Sequence, residues 1–77
     1  MKIKVSFFGP IRRPWNESSR ELDLPDETTI GDLLGSLGYS RDDMRRVAVV
    51  LGGKRRRLDH VLNDGDDLRL VLLAGGG

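Results

Sequence analysis

The chain has 77 residues, 38% hydrophobic and 32% charged, which gives room for one domain and one small core. Thirteen Lys and Arg against twelve Asp and Glu leave a net charge of +1, so nothing attracts nucleic acid or an anionic membrane in general and any electrostatic partner must be met locally. The absence of cysteine excludes a disulfide framework, a thiolate nucleophile and a cysteine-based metal site, and a single histidine, His60, cannot supply a two-histidine ligand set.

Ile3, Val5 and Phe7 alternate with Lys4, Ser6 and Phe8, the period of a strand with one face in the core. The same alternation denies the first residues the continuous apolar stretch of a signal peptide, and no apolar run reaches the ~18 residues of a membrane span, so a cytoplasmic protein is expected. Gly9-Pro10 ends the strand, a polar stretch from Arg12 to Ser19 carries Pro14 and Trp15, and alternation resumes at Glu21-Leu22-Asp23-Leu24. After Pro25-Asp26, Thr29 can cap a helix whose Ile30, Leu33, Leu34 and Leu37 form one apolar stripe. Gly38 suits a left-handed helix end, and Ser40 with Asp43 resembles a capping box over one more turn.

Val47-Ala48-Val49-Val50-Leu51 is short and β-branched, which predicts a buried strand, closed by a Gly52-Gly53 turn and followed by a short basic strand. Asn63-Asp64-Gly65-Asp66 is the strongest turn signal, and beyond it Leu68, Leu70 and Leu72 alternate with Arg69, Val71 and Leu73. The order strand, strand, helix, strand, short strand, strand predicts an α+β fold, with a mixed sheet of about five strands and the main helix across one face. The first and last strands are expected side by side and parallel at the centre, because they carry the richest apolar faces and the helix separates them in sequence. Residues 1–73 then form the domain and 74–77 a flexible glycine tail.

Four segments in this order resemble the MoaD/ThiS family of ubiquitin-like sulfur carriers: the opening IKVSFFGPIR, the helix start PDETTIGDLLGSLG, the turn LDHVLNDGDDL and the final Gly-Gly. The resemblance runs nearly end to end and implies a ubiquitin-like β-grasp. Phe7-Phe8-Gly9 and the loop containing Arg12 are most similar to the molybdopterin synthase small subunit. The chain departs from many relatives in having Leu72-Leu73 in place of Pro-Pro, Gly52-Gly53 in place of Asn-Gly, and three glycines at the tail. Counting forward from the shared turn places the family's terminal pair on Gly76-Gly77 and makes Gly75 the variable position.

The resemblance implies a carrier or co-substrate subunit and not an enzyme. A MoeB/ThiF-type adenylating enzyme would use ATP to activate the carboxylate of Gly77, and a sulfur-donor protein would convert it to a thiocarboxylate. A MoaE-like large subunit or another acceptor enzyme would receive the sulfur, in molybdenum cofactor biosynthesis or, for a ThiS-like carrier, in thiamine thiazole synthesis. Gly75 and Gly76 would give reach, since residues without Cβ can pass down a narrow channel. No stably bound cofactor and no metal are implied.

Strand parity adds a separate indication: with Ile3, Val5, Phe7, Leu68, Leu70 and Leu72 against the helix, Phe8, Val71 and Leu73 share the open face beside the tail. Such a patch, with Arg12 nearby by the resemblance, is a candidate docking surface, unless the loop carrying Trp15 folds over it. Lys54-Arg55-Arg56-Arg57 reads as a solvated edge strand, without the interleaved aromatics of a nucleic-acid site. His60, Asp64 and Asp66 are accounted for by turn chemistry. A ubiquitin-like interaction or modifier module that never carries sulfur is the rival from another class.

Overall fold

The computed structural model describes residues 1–9 and 17–72. They form β1 (Lys2–Phe8), β2 (Ser19–Asp23), α1 (Ile30–Ser36), α2 (Arg41–Arg45), β3 (Val47–Leu51), β4 (Lys54–Arg55) and β5 (Asp67–Leu72). The strands make one sheet of order β2-β1-β5-β3-β4, in which β1 and β5 are parallel and the other pairs antiparallel. The expected central pair is thus present, with Phe7 beside Leu70 and Phe8 beside Val71.

The core lies between the sheet and α1. Ile3, Val5 and Phe7 of β1, Val49 of β3 and Leu68 and Leu70 of β5 meet Ile30, Leu33 and Leu34 in one buried cluster. Fully burying each such side chain is worth about 1.5–3 kcal/mol relative to exposure. Val47 and Leu51 of β3, with Tyr39 and Leu62 from connecting segments that carry no periodic signal, complete the cluster.

The start of α1 shows why the helix sits where it does. Four N–H groups at a helix start lack partners inside the helix, and here each has one. Thr29 and Asp32 exchange bonds in a capping box, Asp32 N–H to Thr29 Oγ1 at 3.1 Å and Thr29 N–H to Asp32 Oδ2 at 3.3 Å. Ile30 N–H donates to the His60 carbonyl at 3.0 Å and Gly31 N–H to the Leu58 carbonyl at 2.8 Å. That approach is close: a Cβ on Gly31 would stand 3.2 Å from the Leu58 carbonyl oxygen, so a side chain there would push the 58–60 segment back by a few tenths of an ångström. The second capping box also forms, with Ser40 and Asp43 starting α2 after Gly38 at φ 92°.

β2 differs from its pattern in extent, and β3, which has the expected bounds, in burial. β2 starts at Ser19, ahead of Glu21, because the ladder with β1 continues to the Ser6 and Ser19 pair and Phe7 N–H reaches the Ser18 carbonyl at 2.8 Å. It stops at Asp23, and Leu24 bonds back to Met1. β3 is not buried throughout: Val50 is half-buried, since it points away from α1. Gly52 and Gly53 both have positive φ, 63° and 79°, as a two-residue turn matching the strand twist requires. The 63–66 turn is fastened to the start of β1, with Lys2 N–H donating to Asp64 Oδ1 at 2.7 Å and Gly65 N–H to the Lys2 carbonyl at 2.8 Å.

Candidate functional site

The side of the sheet away from α1 is graded in polarity, and the register explains how. One row across the strands holds Glu21, Lys4 and Asp67; the next holds Ser6, Arg69, Val50 and Arg55; the third holds Phe8, Val71 and Ala48. Since β1 and β5 run parallel, the apolar row lies at the end where both strands finish, and β5 finishes at Leu72, directly before the Leu-Ala-Gly-Gly-Gly sequence.

Phe8 is 46% exposed, against 5% for its neighbour Phe7, so the strand parity read from the sequence holds. Phe8, Val71, Val50 and Arg69 surround a shallow depression of about 380 Å³. Val50 and Arg69 are the lining residues that sequence reasoning missed. The run Val47 to Leu51 has no apolar and polar alternation to show which side chains point outward, and only its register against β5 reveals it. Arg12, Leu73, Gly75, Gly76 and Gly77 lie outside the described residues, as does Trp15.

An exposed aromatic ring, two aliphatic side chains and a guanidinium in one depression suit a protein surface, because apolar area is buried while one charge fixes orientation. They supply no acid and base pair. Asp64 and Asp66 accept backbone N–H groups of Lys2 and Asn63, at 2.7 and 2.8 Å, which is a structural use of both carboxylates. His60 is joined through its backbone, N–H to the Arg57 carbonyl and carbonyl to Ile30 N–H. Among the described residues no group of three or more His, Asp or Glu could hold a metal ion, and no helix is long and apolar enough to cross a membrane. Beside β2, Arg20 donates two hydrogen bonds to Glu17, at 3.0 and 3.1 Å. They hold the Glu17 carboxyl below its ordinary range, though both groups stand in water, where such pairs add little to stability.

The model of the ThiS family matches residues 5–77. No curated protein matches the chain. Among solved structures, the chain is similar to one from the protein-protein complex of subunits 1 and 2 of the molybdopterin-converting factor of Helicobacter pylori 26695, with 25% identity, a TM-score of 0.67 and all of both chains covered. SAMP1 from Haloferax volcanii shares the fold at 19% identity and TM-score 0.76 over all of both chains. Urm1 from Trypanosoma brucei does so at 22% identity and TM-score 0.72, covering 99% of this chain and 95% of that one. The five-stranded mixed sheet with a helix across one face is the ubiquitin-like β-grasp.

Proposed function

Since the chain belongs to the ThiS family, we propose that it is a sulfur carrier whose Gly77 is activated by a partner and loaded as a thiocarboxylate. In the first step a carboxylate oxygen of Gly77 attacks the α-phosphorus of ATP on an adenylating enzyme of the MoeB/ThiF type, and pyrophosphate leaves. In the second, hydrosulfide delivered by a sulfur donor attacks the acyl carbon; a C–S bond forms, the C–O bond to AMP breaks, and the products are thiocarboxylate, AMP and a proton. The chain contributes no acid or base to either step. It supplies the reacting end, the reach of Gly75 and Gly76, and the surface by which the partner holds it.

One observation carries this reading: the parallel pairing of β1 and β5 sets the exposed Phe8 and the half-buried Val71 beside the last residue of β5, shortly before the glycines. A partner seated on that row would meet the chain where it leaves β5 at Leu72. The 25% identity to a chain of the H. pylori molybdopterin-converting factor complex supports molybdopterin synthesis as the destination, with a MoaE-like subunit as acceptor. Incubation with an adenylating enzyme, ATP and a sulfide source, followed by intact-mass analysis, tests the carrier reading. A mass gain equal to exchange of one oxygen for sulfur, localised to Gly77, is expected; an unchanged mass, or conjugation to lysines without sulfur, would overturn it.

A further inference from the structure

The sheet has an unfinished edge. β4 covers only Val50 and Leu51 of β3, and Arg56 N–H adds one bond to the Val49 carbonyl at 2.8 Å. In an antiparallel ladder every second residue turns both its N–H and its C=O to the same neighbour. Leu51 and Val49 therefore face β4, and by the same alternation Val47 presents its N–H and C=O to that side beyond the end of the hairpin. There the chain has left the sheet, because Leu58 is drawn to α1 by its bond from Gly31.

A groove of about 610 Å³ opens in the place where β4 would have continued, between β3, α2 and residues 55–59. Its floor is apolar, made by Met44, Val47 and Leu58, the last 39% exposed. Its rim carries Arg45, Arg55, Arg56 and Arg57 against one carboxylate, Asp59, which sits 3.5 Å from Arg57. Arg56 is tied to the Leu51 carbonyl at 3.4 Å and Arg45 to Asp42 at 3.5 Å across open solvent, whereas Arg55 has no ion pair among the described residues.

We propose that this groove binds an acidic, extended segment of a partner protein, added to the sheet beside Val47. Its backbone would meet the N–H and C=O of Val47, an aliphatic side chain would settle on Met44 and Leu58, and carboxylates would meet the arginines. Strand addition of this kind takes affinity from main-chain bonds and specificity from alternate side chains. A nucleic acid fits less well, because no aromatic side chain lines the groove to stack a base and the floor offers a phosphate nothing. A second copy would bring its own cationic rim to the same place across a two-fold axis. The surface is distinct from the Phe8 row and stands whether or not Gly77 carries sulfur.

The test titrates the isotope-labelled full chain with a capped octapeptide of alternating Glu and Val. Saturable amide shifts confined to Met44–Ala48 and Arg55–Asp59, with slowed hydrogen exchange at Val47, are expected. Replacing the exposed Arg45, Arg55 and Arg57 together by Ser should weaken binding about tenfold, as three solvent-screened pairs would, with the circular dichroism spectrum unchanged. The same peptide N-methylated at alternate residues keeps its charges and should lose binding. Absence of saturation, equal affinity of the methylated peptide, shifts centred on Phe8, tighter binding of polythymidylate, or dimerisation through this edge would each overturn the proposal.

Discussion

Phe7 and Phe8 are chemically identical and adjacent, yet the pleat sends one ring into the core and the other to solvent. Phe7→Ala should cost about 3–5 kcal/mol, the range for emptying a buried aromatic site. Phe8→Ala should cost under about 1 kcal/mol, because an exposed ring has little packing to lose. Urea denaturation of the two variants measures both, and equal losses would refute the face assignment. Phe8→Ala should instead show its effect on partner capture, weakening the adenylating enzyme's hold by about 2 kcal/mol or more if the ring anchors the interface. A second residue stands out by its backbone: Glu27, in the turn before α1, has φ 68°, a conformation that costs a residue with Cβ about 1 kcal/mol or more. Glu27→Gly removes that penalty at the expense of some unfolded-state entropy, so a net gain of about 0.5 kcal/mol is expected in the same denaturation assay.

Among the elements, α1 was the most legible in sequence and also held the largest surprise. Its Thr29 cap and its stripe of Ile30, Leu33, Leu34 and Leu37 are local patterns; the cap forms and the first three of the stripe are buried in the structure, while Leu37 falls at the C-cap and packs partly buried against the core. The carbonyls of Leu58 and His60 that complete its N-terminus come from about thirty residues downstream and follow no period, so nothing in the pattern announced them. The same reason hid the outward face of β3 and the unfinished edge beside it: a uniformly apolar run carries no phase, and only the partner strand supplies one. Gly31 tests the downstream contact. In an open helix interior Gly→Ala stabilises by roughly 1 kcal/mol, but here the new Cβ meets a backbone oxygen that itself accepts the Gly31 N–H. Gly31→Ala should therefore destabilise, and faster hydrogen exchange at Ile30 and Gly31 would show the bond strained. A stabilised variant would mean that the 58–60 segment yields freely.

At the scale of the molecule, fold and proposed chemistry occupy different stretches of chain. Every buried hydrophobic residue among those described lies between Ile3 and Leu70, and the sheet is complete in its central pairs by Leu72. The glycines that follow add no side chain to that core. These two facts separate stability from activity. Deleting Gly76 and Gly77 should leave the urea midpoint of the domain unchanged and abolish thiocarboxylate formation, read by intact mass beside the full chain. An unchanged midpoint with sulfur still loaded would move the reacting residue away from Gly77, whereas a lowered midpoint would mean that the tail packs against the domain. The carrier reading requires the first result, since an end that must enter a partner's ATP site has to leave its own fold intact when it does so.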